Sequence, residues 1–199
     1  MSVVTPELRR ATVVRSLPPV VLVVLMWLSE IVDTVLGGTL DQYGIQPREL
    51  DGLPGILAAP LLHGGFEHLV ANTATFIVLG LLVAWLTRHF WVVTIGVAVL
   101  GGAAVWLIGA PNTVHIGASG LVYGYTAFLV VYGFVARRIT AVVIAVIVFL
   151  IYGSIVWGVL PTQTDVSWEG HLFGAVAGVV LAVLLGRRDR RRPRTALDA

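Results

Sequence analysis

Six apolar stretches, at about 18–36, 66–87, 90–109, 116–136, 139–160 and 168–186, constrain this chain more than any other feature. Each is bounded by polar or Pro/Gly punctuation, and each approaches the length of about 20 residues that crosses a bilayer. A backbone in hydrocarbon must satisfy its own hydrogen bonds, so the stretches are read as helices and the fold as an all-α membrane protein, a bundle of six transmembrane helices. Composition agrees: of 199 residues, 57% are hydrophobic and 12% charged, with a mean hydropathy of +0.92. A soluble domain of that makeup has nowhere to put its apolar surface. The first stretch has the length of a secretory signal, with Arg9, Arg10 and Arg15 ahead of the run from Leu17 to Leu28. No small-x-small cleavage site follows before Glu30, and five further spans come after it, so it is counted as a span.

Arginine placement predicts the orientation, since positive charge beside a span is retained in the cytoplasm. Arg9, Arg10 and Arg15 precede span one, Arg88 separates spans two and three, Arg137 and Arg138 separate four and five, and six arginines fall within 187–194. Arg48 breaks the pattern, and the other connections carry acids or no charge: Asp41, Glu49 and Asp51 after span one, none after span three, and Asp165 and Glu169 after span five. N and C termini are therefore both expected in the cytoplasm, and the protein in the cell's inner or plasma membrane. Residues 1–16 are read as a cytoplasmic N-terminal segment, 17–186 as the six-helix membrane domain, and 187–199 as an Arg-rich tail that anchors the topology against anionic lipid rather than binding nucleic acid. The long loop at about 37–65 is rich in Gly and Pro yet holds Leu53, Ile56, Leu57, Leu61 and Leu62, and is expected half-buried at the outer interface. With no Cys in the chain, a disulfide and a thiolate nucleophile are both excluded.

Polar side chains inside a span cost on the order of a few kcal/mol, so those that occur there are functional candidates. Three groups stand at the extracytoplasmic ends of even-numbered spans: Glu67, His68 and Asn72 on span two; His115, Gly117, Ala118, Ser119 and Gly120 on span four; Trp168, Glu169, Gly170 and His171 on span six. Their shared depth lets them meet in one water-accessible pocket. His68 and Asn72 lie four residues apart and share a helix face, as do Ser119 and Tyr123. Gly120 and Gly124 beside Ser119, and Gly174 and Gly178 below His171, form small-residue stripes that allow close helix approach. Such stripes serve packing, catalysis or both. Ser119 is the candidate nucleophile and His171 its base. Glu169 sits about 200° around the helix from His171, a poor position for an orienting carboxylate, so a dyad is expected, with Tyr123 stacked on the imidazole. The Ser119 amide, His68 and Asn72 are the candidate oxyanion donors.

Gly-Ala-Ser-Gly at 117–120 followed by Tyr123, Glu-Gly-His-Leu-Phe-Gly at 169–174, and His68-x-x-x-Asn72 together resemble the three signatures of the rhomboid intramembrane serine proteases, over roughly residues 50–185. The resemblance implies a six-span core and an endopeptidase that cuts membrane-protein substrates in or near their transmembrane segments. It assigns attack to Ser119, general base to His171, oxyanion support to His68 and Asn72, the turn presenting the serine to Gly117, and packing on His171 to Tyr123, with Gly120 and Gly174 in support. It further implies single-span substrates cut near the outer end of the span after a small residue, with no cofactor, no metal and no nucleic acid. Many members carry a Trp-Arg pair before span two, where this chain reads Leu53-Pro54-Gly55.

Rival readings fare worse. His63, Glu67 and His68 are spaced His-x-x-x-Glu-His, which fits neither zinc-protease helix pattern. His63 is expected in a loop or at the interface, and His89 and His115 at span boundaries. Glu30 and Asp33 are read as interfacial, with Glu30 in reach of a neighbouring helix. A transporter is disfavoured because the polar clusters lie toward one membrane face. A catalytically silent rhomboid-like protein that binds client helices is the alternative function, and the presence of both Ser119 and His171 argues against it.

Overall fold

The computed structural model describes residues 6–162 and 166–191. Within them the chain is helical, and six helices are long and apolar enough to cross a membrane. Helix α1 (Pro6–Val35) leads into a segment of short turns that holds α2 (Gly55–Ala58). The remaining spans are α3 (Phe66–Leu86), α4 (Phe90–Ile108), α5 (Ser119–Ala136), α6 (Ile139–Tyr152) and α7 (Trp168–Arg190). The expectation for Gln163, Thr164 and Asp165, and for the tail beyond Arg191, lies outside the described residues.

Span six runs four residues beyond 186, to Arg190, and three other boundaries differ from the sequence reading, each for a physical reason. Helix α1 begins about three turns earlier than residue 18 and carries Pro18 and Pro19 inside it. Proline removes a helical hydrogen bond, but a neighbouring helix can absorb the defect; here Pro19 is buried against Gly80 of α3. Span five is a helix only to Tyr152 and continues as a 3-10 stretch over Gly153–Val159. Residues 116–118, counted with span four, are a bend at Gly117 and a turn at Ala118 that lead into α5, which starts at Ser119.

Helix α5 is the centre of the bundle. Tyr125, Phe128 and Tyr132 on it are fully buried, and Tyr125 shares a 2.7 Å hydrogen bond with Thr94 of α4. Its tightest neighbour is α7, because Gly120 and Gly124 face Gly174 and Gly178 with nothing but backbone between them. A Cβ on Gly174 would overlap the Gly120 carbonyl, and one on Gly178 the Gly124 carbonyl. In lipid, such packing takes over from the hydrophobic effect as the force holding helices together. The periphery is apolar and exposed, as on Val24, Leu28, Val92, Phe149 and Leu150, which suits contact with acyl chains.

Both ends of α7 are pinned by polar contacts. At its start Ser167 caps the helix by accepting from the Gly170 amide at 3.2 Å, and its hydroxyl is 2.6 Å from Nδ1 of buried His115. At its far end the Asp189 carboxylate is 3.1 Å from Nε2 of His89 and accepts from the Tyr132 hydroxyl at 2.8 Å. His89 and His115 are thus buried structural partners rather than residues at an open interface.

Candidate active site

The turn that presents Ser119 is built by the segment before α3. Ile45 and His115 exchange backbone hydrogen bonds of 3.0 and 2.9 Å, and the Gly117 amide donates to the Ala59 carbonyl at 2.9 Å. The loop read as lying at the interface therefore buttresses the backbone immediately before the serine. Gly117 has φ +108°, and a Cβ there would stand 2.7 Å from the His68 ring. Only glycine meets both demands without strain. Ser119 is the first residue of α5, so its amide has no carbonyl one turn earlier within the helix to receive it.

His63, expected in a loop or at the interface, is 1% exposed and central to this support. Its Nε2 accepts from the Ala118 amide at 3.4 Å, and its ring lies edge-on to His68 with centroids 5.1 Å apart. Burial, with His68 beside it, pushes the imidazole down to about 4, while the Leu61 carbonyl opposes that shift. It is neutral at pH 7, as an acceptor must be. The folded protein then binds fewer protons at His63 than the unfolded chain does between pH 6.5 and about 4, so this residue makes stability fall as pH drops through that window. His63→Leu leaves the Ala118 amide unpaired and is expected to destabilise the protein by about 1–3 kcal/mol. His63→Gln, which restores an acceptor and does not titrate, should recover most of that loss and show less acid sensitivity. Thermal unfolding in detergent across pH 4–8 measures both effects.

Glu30 and its neighbours lie beside the start of α3. Glu30 is 3% exposed and stands close to the Gly65 backbone, the N-cap of α3. Asp33 Oδ1 accepts from Leu40 at 2.6 Å. Asp41 is held above the usual carboxylate range, first by burial and then by Asp33 nearby. Glu30 and Asp33 are thus buried within the protein, and Glu30 reaches the neighbouring helix. His115 is pushed down by burial, with Glu169 opposing.

The three polar groups singled out from the sequence meet at one end of the bundle. His68, Asn72, Ser119, Tyr123 and His171 line a single cavity of about 570 Å³. Asn72 is buried on α3 and donates from Nδ2 to the His68 carbonyl at 3.1 Å, which leaves its second amide hydrogen available. Tyr123 and His171 are stacked, with ring centroids 4.0 Å apart and planes 8° from parallel. The far side of the imidazole belongs to a residue the sequence reading missed: Nδ1 of His171 is 2.9 Å from the Gly158 carbonyl. Glu169 is buried but faces His115 and Trp168 in a separate cleft. Gly120 abuts the Gly170 carbonyl at 3.4 Å from an added Cβ, and Gly174 faces Gly120. Behind Ser119 a small recess of about 50 Å³ runs between Ala98, Gly101, Ile116 and Gly120. Among the described residues, no three His, Asp or Glu side chains gather as a metal-ligating group.

The family model for the Rhomboid domain matches residues 52–188. An uncharacterised protein of Mycobacterium tuberculosis is 45% identical over 179 residues, covering 85% of this chain and 74% of that protein. One from Mycobacterium leprae is 43% identical over 177 residues, covering 84% and 70%. A Bacillus subtilis protein, provisionally named a rhomboid protease, is 26% identical over 139 residues, covering 66% of this chain and 67% of its own.

Proposed function

The chain belongs to the rhomboid family, and from that premise we propose that it is an intramembrane serine endopeptidase working by a Ser119–His171 dyad. The observation that carries this reading is the convergence of Ser119, His171, His68 and Asn72, from three separate helices, on one cavity. His171 takes the proton of the Ser119 hydroxyl as the oxygen attacks the scissile carbonyl. The oxyanion that forms is held by the Ser119 amide and by donors from Asn72 and His68. His171 then gives its proton to the leaving amine, and a water admitted to the cavity hydrolyses the acyl-serine by the same route in reverse. The small recess behind Ser119 suits a short side chain on the residue before the cut.

Substrates on this reading are membrane proteins with a single span. Both termini are cytoplasmic and the site opens to the extracytoplasmic side of the cell membrane, as the Arg-rich connections at the opposite end of the bundle support. No cofactor or metal takes part.

A fluorophosphonate probe provides the test. With purified protein in liposomes it is expected to phosphonylate Ser119 at a rate that collapses in His171→Ala, with mass spectrometry locating the adduct. Alongside it, Asn72→Ala is expected to lower turnover of a single-span reporter about 10²-fold, the usual effect of losing one oxyanion donor. A probe that modifies some other serine, or labelling that ignores His171, rejects the dyad.

A further inference from the structure

A dyad leaves the base without an obvious group to hold its tautomer, and Glu169, two residues away, lines the cleft of His115 instead. Among the described residues, the hydrogen bond to His171 comes from a backbone carbonyl, that of Gly158, at 2.9 Å from Nδ1. We propose that Gly158 is a positioning residue for the reaction, its carbonyl holding the proton on Nδ1 so that the Nε2 lone pair points into the cavity. This inference rests on the protease reading.

A carbonyl only accepts, so a neutral imidazole at this distance must present Nδ1–H to it and keep Nε2 as the acceptor. In a continuous α-helix that carbonyl would be occupied by the amide of residue 162. Here the fifth span changes to a 3-10 stretch over Gly153–Val159, and the Thr162 amide donates instead to Leu160 at 2.8 Å. The Gly158 oxygen is thereby released for the imidazole.

The residue type matters as much as the backbone. A Cβ at 158 would overlap the Tyr123 hydroxyl and stand 3.2 Å from His171 Nδ1. Any side chain there displaces the stacked tyrosine, the imidazole, or the 3-10 turn that supplies the carbonyl. A neutral acceptor also suits a site within the membrane, where a second buried charge beside the base would carry a large desolvation cost.

Ring 15N chemical shifts of labelled histidine read the tautomer directly. In wild-type protein at pH 8, His171, identified by its loss in His171→Gln, is expected as the Nδ1–H form. An Nε2–H form overturns the proposal. Replacing Val159 by its α-hydroxy analogue converts the 158–159 amide to an ester and weakens the Gly158 carbonyl as an acceptor. This should lower kcat about five- to tenfold with KM unchanged, the effect of weakening one hydrogen bond, and should bring up Nε2–H signal. Unchanged kcat and unchanged shifts in the ester also overturn it. Gly158→Ala is expected to lose more activity than the ester, with part recovered in Gly158→Ala/Tyr123→Phe because the overlapping hydroxyl is gone; no recovery counts against the steric half of the proposal. The protease reading fails separately, if wild-type protein with an Nδ1–H imidazole neither cleaves a reporter nor takes up the phosphonate.

Discussion

Ser119→Ala is expected to lower cleavage of a single-span reporter by about 10³-fold or more, with no measurable change in thermal unfolding. The argument is that the lost oxygen is the atom that bonds to substrate. The residue is only partly buried at the first position of α5, and Ala continues the helix as well as Ser does. His171→Ala should fall to the same level, and the double variant no further, because a nucleophile and its base act as one unit and their losses do not add. That non-additivity separates loss of chemistry from loss of fold. Two independent structural lesions multiply, whereas a shared step is lost once. Retention of more than a tenth of wild-type turnover in Ser119→Ala would falsify the mechanism.

The second large effect is expected from a residue that takes no part in the proton transfers. Gly174→Val should cost at least about 10³-fold in turnover, even though position 174 lines the recess behind Ser119 and not the cavity that His171 lines. The Gly120 carbonyl already fills the space a Cβ would need, so the α5 and α7 backbones must separate by an ångström or more. Ser119 rides on one of those helices and His171 on the other. A displacement of about 1 Å between reacting groups is enough for a 10²-fold loss, and the branched side chain demands more than the minimum. Overpacking by itself costs about 1–3 kcal/mol, so the variant should unfold at lower temperature as well. Val176→Leu, on the exposed face of the same helix, is the control and should change neither quantity. Near-normal turnover in Gly174→Val would mean that the helix spacing does not govern the site.

Much of this architecture was legible because it is written locally. Apolar runs of membrane length announce spans whatever surrounds them. Glycines at four-residue spacing announce close helix pairs, and Ser119, His171, His68 and Asn72 fall at the same depth once the spans are counted. What escaped was written in pairs of distant residues. His63 and Ala118 are 55 positions apart, and His89 and Asp189 are 100 apart. Each histidine looks ordinary until its partner arrives. Gly158 escaped for another reason, since it contributes a carbonyl, and every residue has one. Its signal lay in the failure of the fifth span to finish as an α-helix, which hydropathy does not register. Pro18 and Pro19 misled in the opposite sense: they are strong punctuation in water and weaker punctuation beside a helix that can cover the missing bonds.

The two moorings of α7 have a mechanical consequence. With Ser167 joined to His115 at one tip and Asp189 joined to His89 and Tyr132 at the other, axial sliding of this helix would strip partners from both tips at once. Bilayers that thin or thicken would therefore shift the whole bundle relative to the lipid before they could change the height of the imidazole above the serine.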